Sequence, residues 1–175
     1  KIWGLENKYS LDAIEELRVR GWLTDGSVRG MAFCQAQLQN ANLMEADLCN
    51  VDFHQAVLDD ADLRNARLNG AKFNRASLQG VNFDGADLTY VEMYKVNLRG
   101  AINLTAEQLS TTNQLVGSIM PDGKPYDGRY NLAGDLGRAR WAKVDLNDRA
   151  AMANFFGVSL ETYEAGQKMQ VAVKA

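Results

Sequence analysis

From residue 28 to residue 98 a large apolar side chain falls at every fifth position: Val28, Phe33, Leu38, Leu43, Leu48, Phe53, Leu58, Leu63, Leu68, Phe73, Leu78, Phe83, Leu88, Met93 and Leu98. None is polar. At the chain's 46% apolar fraction, fifteen independent successes in a row would arise about once in 10^5 trials, so the period is real. A second column, two residues earlier and running from Met31 to Ala101, holds ten alanines, four valines and one methionine. Neither regular element can bury this pattern. On an α-helix five residues advance about 500°, which scatters the leucines around the cylinder; on a flat strand an odd spacing sends them to alternate faces. A chain that runs extended for a few residues and turns a corner every five keeps both columns facing one axis. The period therefore predicts a solenoid, with small residues letting the walls approach and large ones filling the space between.

The flanks carry helical signals. Ser10, then Leu11, Ile14 and Leu17, with acids Asp12, Glu15 and Glu16 early, Arg18 and Arg20 late, and Gly21 after, predict an amphipathic helix covering the N-terminal end. Trp22 is expected to pack beneath it. Thr105 and Gln108 form a capping box opening a helix through about Leu115. Turn signals follow at Pro121-Asp122-Gly123 and Asp127-Gly128, then helical stretches near 147–156 and 159–165, the second ended by Gly166. The expected segments are an N-terminal capping helix (1–23), a repeat shaft (24–104) and a C-terminal helical cap and tail (105–175).

The repeat units A-Q-L-Q-N, A-N-L-M-E, A-D-L-C-N, V-D-F-H-Q and A-D-L-R-N resemble the motif A-[DN]-L-x-x of the pentapeptide-repeat proteins. That resemblance implies an all-β solenoid: a right-handed quadrilateral β-helix with twenty residues per coil, hence about four coils here. Residues twenty apart should then stack. Phe33, Phe53, Phe73 and Met93 fall in one column, as do Asp47, Arg67 and Asp87, and Asp52, Lys72 and Glu92, while Arg64 lies under Asp84. Charge alternates along these columns, which avoids like-charge stacking.

Composition narrows the function. Nineteen Lys plus Arg against 22 Asp plus Glu give a net charge of -3, with no basic excess to draw the chain onto nucleic acid. The longest apolar run, near 150–160, is broken by Asn154 and Gly157 and is far short of the roughly 20 residues of a spanning helix. Cys34 and Cys49 form no C-x-x-C pair, which fits a reducing compartment, and a cytoplasmic location is expected. The single histidine, His54, stacks over Cys34 in the coil register, and the pair reads as two outward side chains on a solvated wall. Gly117 to Lys124 lacks Walker A spacing, and Asp122 and Asp127 read as D-G turns. No catalytic, cofactor or metal site is expected, and the chain reads as non-enzymatic.

The exposed walls and ends are then the functional surfaces, and a protein-protein interaction module or structural scaffold is the leading expectation. Met44, Tyr90 and Tyr94 are the candidate partner-contact residues, the partner being another protein or complex. The resemblance also admits an accessory or assembly subunit of a larger, for instance photosynthetic, complex, and a DNA-mimic binder of DNA gyrase. The last needs sustained negative potential, whereas residues 24–103 carry ten acids and seven bases.

Overall fold

The computed structural model describes residues 7–173. Positions 1–6 and 174–175 of the expected terminal segments lie outside the described residues.

The backbone meets itself at one register. Parallel bridges join Ala32, Asp52, Lys72 and Glu92; Gln37, Val57, Ser77 and Asn97; Asn42, Asp62, Asn82 and Ile102; and Asp47, Arg67 and Asp87. Each step is twenty residues. The hydrogen bonds alternate accordingly: Leu58 N–H donates to Ser77 O at 2.8 Å, and Ser77 N–H donates to Ala56 O at 2.9 Å. Every bridge is isolated, and no continuous strand forms among the described residues. Of the expected all-β solenoid the described residues show single bridged residues and no sheet, because a corner every fifth residue leaves too little extended chain between turns.

The corners have their own chemistry. The residue two after each large apolar one takes a left-handed conformation, as at Asn40 (φ 62), Asn50 (φ 60), Asp60 (φ 59), Asn65 (φ 55) and Gly100 (φ 72). Asn, Asp and Gly tolerate that region best. The column is only partly readable in the sequence: nine of its fifteen positions are Asn, Asp or Gly, and the rest are Gln35, Glu45, Gln55, Arg75, Tyr90 and Lys95.

All fifteen large apolar residues are buried. Phe33 stacks on Phe53 at 5.6 Å between ring centroids, and Phe53 on Phe73 at 4.8 Å. Each buried Leu or Phe contributes about 1.5 to 3 kcal/mol before entropy is counted.

Helix α1 (Asn7–Val19) lies at the N-terminal end. Its Ile14 is buried, Leu11 and Leu17 pack partly on the core, and the Arg18 guanidinium donates to Asn42 O at 2.6 Å and Met44 O at 3.3 Å. Trp22 does not pack beneath the helix: it is 42% exposed, with the Arg20 guanidinium 4.9 Å from its ring. Leu23 is fully buried instead. The reason is register, since Leu23 and not Trp22 lies five residues before Val28.

At the other end, helix α2 (Ala106–Thr111) opens on the reciprocal capping box of Thr105 and Gln108. It stops short of Leu115. The chain then rejoins the ladder, Gln114 bridging Glu92 and Ile119 bridging Asn97, at a step of twenty-two residues. The Gln108 amide also donates to the Phe83 and Ala86 carbonyls at 2.9 Å, so α2 lies against the last wound segment and takes up the two extra residues.

Three further helices form the tail: α3 (Ala133–Trp141), α4 (Arg149–Phe156) and α5 (Leu160–Val173). The sequence reading gave no helix at α3. Nor does Gly166 end α5. A β-carbon there would stand 2.6 Å from Asp127 Oδ2, so the glycine permits close approach of the 127 loop to the middle of the helix. Tyr126, Tyr130, Phe155, Phe156 and Tyr163 form a second aromatic core, with Tyr126 edge-on to Phe156 at 5.6 Å.

Candidate interaction surfaces

The walls are built from outward positions flanking each buried residue, so their chemistry is a set of columns. Asp47 is the most buried acid of the shaft, its side chain 3% exposed. It accepts from Arg29 Nε at 2.8 Å and Arg67 Nη1 at 3.0 Å. The Arg29 hydrogen bonds hold its carboxyl down at about 2, below the ordinary 3.8, with burial opposing. Because the folded value is the lower one, this stabilisation is complete above pH 4 and is lost as pH falls through about 2. Unfolding free energies from denaturant titrations should therefore drop, between pH 5 and pH 2, by about 1 to 2 kcal/mol more in the native protein than in Asp47→Asn. Equal slopes would remove Asp47 as an acid-sensitive group.

Elsewhere on the shaft the pairing among the described residues is local. Arg64 pairs with Asp62 at 2.7 Å and not with Asp84, because the Asp62 carboxylate already folds back onto the Arg64 amide at 3.1 Å. Glu92 receives the Asn74 amide at 2.8 Å.

The reactive side chains do not converge on a common point. The Cys34 thiol lies 3.8 Å from Asp52 O and the Cys49 thiol 3.9 Å from Arg67 O. Burial pushes both thiols above their ordinary value, away from a reactive thiolate. Asp122 caps the Lys124 amide at 3.0 Å, and Asp127 takes the Arg129 guanidinium at 2.8 Å. Among the described residues no three His, Cys, Asp or Glu side chains are grouped to hold a metal ion.

The sequence-derived contact residues fall in three settings. Tyr90 is 69% exposed at a corner, at φ 60. Tyr94 is half-buried: the Arg138 guanidinium of α3 lies 4.0 Å from its ring centroid, and Lys95 Nζ 5.3 Å away. Met44 is half-buried in the column of Arg64 and Asp84, its carbonyl held by Arg18. Tyr90 and Tyr94 are neighbours in consecutive units; Met44 is not among them. The sequence reading missed Trp141, which is 83% exposed at the end of α3 between exposed Arg140 and Lys143. Its signal was the segment R-A-R-W-A-K, an aromatic set among cations.

Comparison with known proteins bears on the repeat shaft. A family model described as a pentapeptide repeat region matches residues 27–102. No protein of curated function matches significantly. Among solved structures, a pentapeptide repeat protein from the Arabidopsis thaliana thylakoid lumen is 28% identical, covering 53% of this chain and 60% of that one, TM-score 0.44. A pentapeptide repeat protein from the cyanobacterium Cyanothece 51142 is 27% identical over 52% and 54% of the two chains, TM-score 0.41. HetL of Nostoc, a pentapeptide repeat protein involved in heterocyst differentiation regulation, is 28% identical over 54% and 62%, TM-score 0.33. The chain thus spans 54% to 62% of the length of these structures. Parallel bridges at twenty-residue steps, stacked phenylalanines and a left-handed corner in every unit agree with that family model and make residues 27–102 a pentapeptide repeat region.

Proposed function

We propose that this protein is a non-catalytic interaction module or scaffold: a four-sided shaft of about four coils, with helices at both ends, that meets another protein through its walls and tail. The family as a whole supports the coarse reading, since pentapeptide-repeat proteins are generally interaction modules. The observation that carries it here is Tyr90. Gln35, Glu45, Gln55, Arg75 and Lys95 share its positive φ at the same corner of other units, so what sets Tyr90 apart is its aromatic ring, 69% exposed, in a column where Gly30, Asn50 and Gly70 stand in the other coils; the left-handed conformation costs it about 1 to 2 kcal/mol. An aromatic ring left exposed on the wall supports a role in contact with a partner.

Tyr90→Gly should therefore raise stability by about 0.5 to 1 kcal/mol, read by thermal unfolding, while weakening partner retention. The test is affinity capture from the native source with the wild type, Tyr90→Gly and Trp141→Ala. A protein retained by the wild type and lost from a variant of undiminished stability supports the reading; identical captured sets from all three contradict it. The DNA-mimic alternative is disfavoured by the columns, where Arg67 lies between Asp47 and Asp87 and Lys72 between Asp52 and Glu92. The accessory-subunit alternative differs only in the identity of the partner. No helix among the described residues is long and apolar enough to cross a membrane.

A further inference from the structure

We propose that the tail is held on the shaft by a proton-gated clasp: the buried Asp135 carboxyl, bridging α3 and the last wound segment, takes up a proton as the tail docks, so that docking tightens in mild acid. This goes beyond the interaction reading and does not depend on it.

The joint is built around one side chain. Asp135 is fully buried near the start of α3. Its Oδ1 accepts the backbone N–H groups of Leu115 at 2.9 Å and Val116 at 2.8 Å, on the segment that rejoins the ladder after α2. Its Oδ2 is buried without a hydrogen-bond partner. Among the described residues it makes no ion pair. Arg138, one turn further along α3, is the cation that faces it; its Nη2 donates to the Gln114 amide oxygen at 3.2 Å and its guanidinium stacks over the Tyr94 ring, while its buried Nε, like Asp135 Oδ2, has no hydrogen-bond partner. The other charged or titratable groups around the joint are Tyr126, Asp127 and Tyr130 of the tail loop, Glu92 of the shaft through Gln114, and Tyr163 of α5 behind Phe156. Of the nearby cations, Arg129 is held by Asp127 at 2.8 Å and Lys95 lies 5.3 Å from the Tyr94 ring, which leaves Arg138 as the one that acts on Asp135. A carboxylate in this position pays desolvation with one oxygen unmatched. The proton goes to Oδ2, leaving Oδ1 to accept both amides.

Burial raises this carboxyl from 3.8 to about 6. A folded value above the unfolded one means that the docking contribution is complete below about pH 4 and is lost as pH rises through about 6. Between pH 5 and pH 7.5 that linkage weakens docking about tenfold.

The test is native-state hydrogen exchange of the full chain at both pH values, corrected for intrinsic rates, with a carboxyl carbon NMR titration of Asp135. The expected result is a protection loss of about tenfold at pH 7.5, confined to Leu115, Val116 and α3, a titration midpoint near 6, and a flattened pH response in Asp135→Asn. Superimposable protection at the two pH values, or a midpoint below 4.5, overturns the clasp. The wild-type titration decides the matter even if Asp135→Asn fails to fold.

Discussion

Phe53→Ala should destabilise the protein by about 3 to 5 kcal/mol, a large share of the 5 to 15 kcal/mol that holds an ordinary domain together. Phe53 is fully buried and its ring stacks on both Phe33 and Phe73. Truncation removes the transfer term and leaves a void on the axis. The void cannot collapse, because the walls on either side are fixed by the hydrogen bonds Phe53 N–H to Lys72 O at 2.7 Å and Phe33 N–H to Asp52 O at 2.7 Å. In a stacked array each unit is stabilised chiefly by its neighbours, so damage at the middle of a column weakens two interfaces at once. Phe53→Leu, which keeps most of the volume, should cost no more than about 1.5 kcal/mol. Urea unfolding with an unchanged slope checks both values; a loss under 1 kcal/mol for the alanine would mean that the column is not a packed axis.

Gly128→Ala should cost about 2 to 4 kcal/mol, and the loss should fall on the tail. Gly128 has φ 80, and a β-carbon there would lie 2.8 Å from Cδ2 of Phe156. Phe156 is the hub of the aromatic core, in contact with Tyr126, Phe155 and Tyr163, so it cannot move without loosening all three. The Gly128 carbonyl also receives the Gln167 amide at 3.1 Å, tying the loop to α5. Amide protection should fall in α4 and α5 while the 32–102 ladder keeps its own. Loss of protection along the whole shaft would show that shaft and tail fold as one unit.

The shaft was legible because its physics is periodic. A single wrong residue in a column of fifteen changes little, and Val28 through Leu98 state the winding before any contact is known. The tail was legible only in part. Pro121-Asp122-Gly123 marks a turn, across which Ile119 bridges Pro125, but A-G-D-L-G-R-A-R-W reads poorly as a helix: two glycines weaken it and no side-chain cap opens it. That helix exists through tertiary anchors, Asp135 on Leu115 and Val116 and Arg138 on Tyr94, which have no local signal. For the same reason Tyr94 looked free in the sequence and is half-covered in the fold, while Trp141, carried by a helix not foreseen, went unnoticed. Gly166 misled because glycine after a helical run ordinarily marks a C-terminus; here it makes room for Asp127.

The winding itself is tested most directly by scalar couplings across hydrogen bonds, which report donor and acceptor pairs without a structural model. Stacked turns of twenty residues require coupling between the Leu58 amide nitrogen and the Ser77 carbonyl carbon, and between the Ser77 amide and the Ala56 carbonyl. Couplings from these amides to carbonyls four residues earlier, or to partners outside the twenty-residue register, would contradict it.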